Sequence, residues 1–110
     1  MKKAREGVRV LDFTQVLAGP FCTMNLADFG AEVIKIEKPG VGDGSRIFGP
    51  FKNGQSGYYT LVNRGKKGIA IDLKKGKELI YDMVKSCDIV VENFKPGVMK
   101  KLGFSYEDLK

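Results

Sequence analysis

The 110-residue chain contains no histidine. That removes the commonest general base, the usual zinc ligand and the side chain that titrates near neutral pH. Catalysis by these residues would have to use carboxylates, Lys, Tyr, Cys or backbone amides. Cysteine is scarce too: Cys22 and Cys87 form no C-x-x-C pair and have no histidine to complete a metal site. They read as two reduced thiols serving as small buried hydrophobes, with no metal bound. No uninterrupted apolar run approaches the ~20 residues needed to span a bilayer, and Met1 to Val10 lacks the apolar stretch of a signal peptide. The expectation is a cytoplasmic protein that does not engage a membrane. The usual nucleotide signatures are also missing. Gly40-Val41-Gly42-Asp43-Gly44-Ser45 has serine where G-x-G-x-x-G needs its third glycine, and no G-x-x-x-x-G-K-[ST] occurs. Acidic clusters of metal-binding type are absent, and Asp12, Asp28, Asp43 and Asp82, with no evident partners, read as structural or solvated.

What is present is a basic, core-forming composition: 19 Lys plus Arg against 13 Asp plus Glu, net charge +6, with 43% hydrophobic residues. That apolar content excludes a disordered polybasic tail. The Arg64, Lys66, Lys67 cluster offers some non-specific phosphate affinity, but without aromatic-basic interleaving no nucleic-acid partner is expected.

Periodicity gives the architecture. Residues 9 to 13 read as a strand, and Pro20 opens a helix of about ten residues near the average length. Its apolar stripe would be Cys22, Leu26 and Phe29, with Gly30 as the stop. Glu32 to Glu37 is a second strand, completing a βαβ unit. The pattern recurs with a strand over 68–73, a helix over 76–86 carrying Leu79, Ile80, Met83, Val84 and Cys87 on one stripe, and a strand over 88–94. Pro96 to Leu102 forms a short helix closed by Gly103, and Ser105 caps another. Between the units, residues 39 to 57 hold six of the fourteen glycines and two of the four prolines. A loop this long inside a compact domain is usually functional. Tyr58 to Arg64 is helix or strand. The class is α/β, a Rossmann-like parallel sheet with flanking helices. The chain stops one turn into an element, which suggests a fragment.

In such sheets ligands bind beyond the carboxyl ends of the strands. Those ends carry Thr14 to Ala18, then Lys38, then Lys74 and Lys75, then Asn93-Phe94-Lys95, with Lys100 and Lys101 a short helix away. Cations at three of the four ends, together with helix N-termini, favour an anionic ligand such as a phosphate.

Arg9 to Phe13 followed by Val16-Leu17-Ala18-Gly19-Pro20, then Leu26 to Glu37, closely resembles the opening of the family III CoA-transferases, relatives of the α-methylacyl-CoA racemases. Gly42-Asp43 with Arg46, Asn63 to Lys67, Ile71 to Lys74, and Val91 to Gly97 with Leu102-Gly103 continue the likeness in order. The resemblance implies that residues 1–110 are the N-terminal CoA-binding segment, part of the large domain, of a two-domain enzyme. Coenzyme A, as an acyl-CoA co-substrate, would be contacted by Gln15, Val16, Leu17, Ala18, Lys38, Ile71, Lys74, Asn93, Phe94 and Lys101. Ile71 and Phe94 would flank the adenine, and Lys38, Lys74 and Lys101 would pair with phosphates. Some members carry arginine where this chain has Lys38 and Lys101, and others glutamine where it has Leu17. The implied reaction moves CoA from an acyl-CoA thioester to a carboxylic acid through a covalent aspartyl intermediate, in an interlocked homodimer. No residue matched here supplies that aspartate, so these residues alone would be inactive. A racemase-type isomerase and a non-catalytic CoA or polyphosphate-binding module are the alternatives.

Overall fold

The computed structural model describes residues 2–110. The chain runs β1 (Arg9–Asp12), α1 (Ala18–Asp28), β2 (Glu32–Glu37), a 3₁₀ turn (Gly44–Ile47), a short hairpin β3 (Phe51–Lys52) and β4 (Gln55–Ser56), α2 (Gly57–Val62), β5 (Lys67–Ala70), α3 (Lys77–Lys85), β6 (Ile89–Val91), α4 (Val98–Leu102) and α5 (Tyr106–Leu109). Four strands form a parallel sheet in the order β5-β2-β1-β6. The expected α/β class with its parallel sheet is therefore what the chain adopts.

Alternation along the strands sends side chains to two cores. Leu11 and Ile36 face α3 and the C-terminal helices, where they pack with Phe13, Ile71, Ile80 and Phe104. Val10 and Val33 face the other way and pack with Ala31, Leu26 and Ala27. The same alternation places Asp12 and Lys35, register partners across β1 and β2, on this second face, one step further along. Both are buried.

That polar end of the sheet explains why α1 buries a different stripe from the expected one. Gly19, Pro20, Thr23 and Met24 point inward, whereas Cys22 and Phe29 are exposed. Thr23 Oγ1 donates to Asp12 Oδ2 at 2.7 Å, and a Cβ on Gly19 would lie 2.3 Å from Thr14 Cβ. The helix thus docks through a hydroxyl and a bare backbone, which apolar periodicity does not register. Cys22 is consequently no buried hydrophobe; Cys87 is half-buried, and its thiol is pushed up by that burial.

Two strands stop early. β5 ends at Ala70 because Asp72 turns the chain, its Oδ1 accepting the N–H groups of Lys74 (2.9 Å) and Lys75 (3.1 Å). β6 ends at Val91, after which Glu92 accepts the N–H of Phe94. The helices close as expected at the C-terminus: Gly103 takes φ +88° after α4, and Ser105 with Asp108 forms a capping box on α5. Of Tyr58 to Arg64, the part up to Val62 resolves as helix, since Ser56 Oγ caps it by accepting Tyr59 N–H, and Asn63 and Arg64 form the turn after it. No helix among the described residues is long and apolar enough to cross a membrane.

Candidate functional site

At the carboxyl ends of the strands lies a concavity of about 340 Å³. Its floor is apolar, made by Phe13, Ile36, Ile71, Leu73, Phe94 and Leu102, and its rim carries Gln15, Glu37, Lys38, Asp72 and Lys74. Each strand contributes through the segment that follows or ends it. Ile71 is fixed just past β5 by its N–H bond to Glu37 O at 3.0 Å, and Gly76 lets the α3 turn pass over it, since a Cβ there would lie 2.5 Å from Ile71 Cγ2.

The electrostatics of the rim depend on which charges are already matched. Glu37 is neutralised internally: Arg46 grips both carboxylate oxygens at 2.8 Å while its guanidinium stacks 3.9 Å over the Tyr59 ring, and Tyr59 Oη and Asp43 N–H donate to the same carboxylate. Burial pushes Glu37 up, but the bonds from Arg46, Tyr59 and Asp43 outweigh it and bring its pKa down to about 2. The Asp72 carboxylate is spent on backbone N–H groups, which hold it below the usual range. By contrast, no ion pair among the described residues engages Lys38 or Lys74. The pocket therefore combines an apolar slot with two uncommitted cations, a combination that suits a flat base linked to phosphate.

The Glu37 clamp carries a pH signature. The unfolded carboxyl sits near 4.5 and the folded one near 2, so the stabilisation is complete above 4.5 and is lost as pH falls through 2. With one pKa unit worth about 1.4 kcal/mol, the ceiling is about 3.5 kcal/mol, reduced by solvent screening of the half-exposed Arg46. Glu37→Gln should flatten the stability profile between pH 5 and 2, as read by urea denaturation at several pH values; an acid limb identical to that of the parent would contradict the clamp.

The loop after β1 is held from three directions. Asp12 accepts Thr14 N–H at 2.8 Å and also the Thr14 hydroxyl. Asn93 brackets Gln15, accepting its N–H and donating to its carbonyl, both at 2.9 Å. Asp43 Oδ1 accepts Val16 N–H at 3.1 Å. Val16 itself has φ +69°, a left-handed conformation that is costly for a β-branched residue.

Beneath the loop, four charges are buried as two ion pairs. Lys66 Nζ lies 3.0 Å from Asp12 Oδ2 and also bonds Pro20 O and Asn63 Oδ1. Lys35 Nζ lies 2.8 Å from Asp43 Oδ2 and donates to Thr14 O at 2.9 Å. All four side chains are at most 2% exposed. Burial lowers Lys66, an effect that the Asp12 charge opposes; burial raises Asp43, but Lys35 and the N–H groups around it bring the net result below the usual carboxylate range.

The aspartates thus have partners after all: Asp12 with Lys66, Asp43 with Lys35, Asp28 with Arg64 and Asp82 with Lys85. Sequence reading gave none of these partners: the first three pairs join separate elements, and the fourth is an i,i+3 pair on α3. The Arg64, Lys66, Lys67 cluster is also committed internally, to Asp28, Asp12 and Glu32. Of the expected contact residues, Gln15, Lys38, Ile71, Lys74 and Phe94 line the pocket. Val16, Leu17 and Ala18 lie beside it on the exposed β1–α1 loop and the first position of α1, Asn93 braces Gln15 through its side chain, and Lys101 is exposed on α4 without lining the pocket.

A parallel four-stranded sheet flanked by helices, with a pocket at its strand ends, is a Rossmann-like α/β arrangement. The sequence model of CoA-transferase family III matches residues 6–110, and the chain belongs to that family. It is 52% identical over 110 residues to succinyl-CoA:glutarate CoA-transferase of Mus musculus, covering 97% of this chain and 25% of that one. It is 50% identical over 113 residues to formyl-CoA:oxalate CoA-transferase of Afipia carboxidovorans, covering 100% and 27%. A crystal structure of a CAIB/BAIF family protein from Brucella suis superposes with TM-score 0.90 at 38% identity, covering all of this chain and 31% of that chain. The chain thus spans about a quarter of the length of the curated relatives it matches.

Proposed function

We propose that residues 1–110 form the N-terminal CoA-binding segment of a two-domain CoA-transferase, and that the pocket holds the adenosine and phosphate end of coenzyme A. The observation that carries this reading is the pairing of an apolar slot, walled by Ile71 and Phe94, with Lys38 and Lys74, which no ion pair among the described residues engages. Ile71 and Phe94 flank the base, and the two lysines meet phosphate oxygens. The chemistry is transfer of CoA from an acyl-CoA thioester to a carboxylic acid. An aspartate outside these residues would attack the thioester carbonyl, expelling CoA thiolate and forming a mixed anhydride. The thiolate would attack the aspartyl carbonyl, releasing the first acid and leaving an aspartyl-CoA thioester. The second acid would repeat the two steps in reverse, leaving as its CoA thioester and freeing the aspartate. The named relatives are transferases, which supports transfer over isomerisation. The working form is an interlocked homodimer in the cytoplasm; exposed Phe21, Phe29, Ile47 and Leu61 are consistent with further covering surface.

Lys74→Ala should weaken CoA binding about three- to tenfold at low salt, with the difference shrinking as ionic strength rises, because one charge-assisted contact is lost. Titration calorimetry with CoA at two salt concentrations measures this. Equal affinities for parent and variant would remove the phosphate role of the rim.

A further inference from the structure

We propose that Asp43 is a positioning residue that holds the β1–α1 loop in its left-handed turn and so sets Gln15 at the mouth of the pocket. The inference rests on the reading of that pocket as the CoA site. Asp43 lies within the glycine-rich excursion and is not among the residues that line the pocket. Its two oxygens nevertheless divide their work. Oδ1 accepts Val16 N–H at 3.1 Å as well as the N–H (2.9 Å) and hydroxyl (3.0 Å) of Ser45, capping the 3₁₀ turn. Oδ2 meets Lys35 Nζ at 2.8 Å, and that same ammonium donates to Thr14 O.

Gln15 is therefore gripped on both sides. Lys35 holds the carbonyl before it, Asp43 holds the N–H after it, and Asn93 holds its own peptide groups. Val16 cannot favour φ +69° on its own account, so the turn depends on the groups that fix its amide. Of those, the Asp43 carboxylate is buried and immobile, anchored by its counter-ion and by the 3₁₀ turn. A buried ion pair adds little net stability relative to apolar substitutes. What it supplies here is an acceptor fixed in place under the loop.

The test separates the acceptor from the ion pair. Lys35→Met combined with Asp43→Leu removes both; Lys35→Met combined with Asp43→Asn removes the charges but keeps an oxygen for Val16. In the full protein, the leucine pair should bind CoA about tenfold more weakly than the parent, and the asparagine pair within about threefold. Hydrogen exchange at the Val16 amide should be fast in the leucine pair and slow in the other two. If the leucine pair does not fold, Asp43→Ala with Lys35→Met takes its place. Equal CoA affinity in the two pairs, or equal Val16 exchange, overturns the proposal. If the parent itself fails to bind CoA, the pocket reading falls, and the exchange comparison alone decides whether Asp43 holds the loop.

Discussion

Lys66→Met is expected to lower stability by about 3–5 kcal/mol, the range found when one member of a buried ion pair is removed and the other charge stays behind. Methionine keeps the length of the stem, so the change isolates the ammonium. Three acceptors lose a donor at once: Asp12 Oδ2, Pro20 O and Asn63 Oδ1. Asp12 has no access to water and retains only the Thr14 N–H and the hydroxyls of Thr14 and Thr23. Against a total stability of roughly 5–15 kcal/mol for a domain, the loss is a large fraction. Urea denaturation checks it, and the double variant with Asp12→Asn should recover much of the loss, because no unmatched charge then remains inside. A single variant within 1 kcal/mol of the parent would show that water reaches Asp12.

Phe104→Ala should cost about 3–5 kcal/mol, as large-to-small changes of buried aromatics do. Phe104 is 1% exposed and packs against Phe13, with centroids 6.0 Å apart, and against Tyr81, edge-on at 5.7 Å. Phe13 is also part of the pocket floor. The vacancy would therefore let that wall move, and CoA affinity should fall alongside stability. Tyr106→Ala, at a side chain 78% exposed two residues on, should change stability by less than about 0.5 kcal/mol. Similar losses at the two positions would argue against Phe104 as the keystone between core and pocket.

Much of the fold was legible because it is written in local patterns. β2 falls at Glu32–Glu37 as expected, since its apolar residues lie between Gly30 and the turn at Pro39. Gly103 and Ser105 announce helix ends through backbone rules that need no tertiary context. The buried quartet was illegible for the opposite reason. Lys35 is a lone cation among the apolar residues of β2, and its partner becomes visible only when the glycine-rich excursion brings Asp43 to it. Thr23 likewise reads as the polar side of α1, and becomes its inner side only because Asp12 waits beneath. The pocket residues Lys38, Ile71, Lys74 and Phe94 were nameable because they follow strand ends, and the topology brings all strand ends to one rim. The separate duties of Asn93 and Asp43 could not be read, since both act on backbone groups of a loop whose shape the sequence does not spell out.

The strand order has a consequence for how the chain must assemble. β1 pairs early with β2, only a helix away, but its other edge is closed by β6, and the Gln15–Asn93 brace joins residues 78 positions apart. Until Ile89 to Val91 are available, the central strand presents an open row of peptide groups beside Val10 and Leu11, both fully buried at the end. On a ribosome, that exposed edge persists while some seventy-five further residues, 14 to 88, are made. Of the two interior strands of this sheet, β1 is thus the later to be sealed, and the interval before β6 docks leaves it open to pairing with the wrong neighbour.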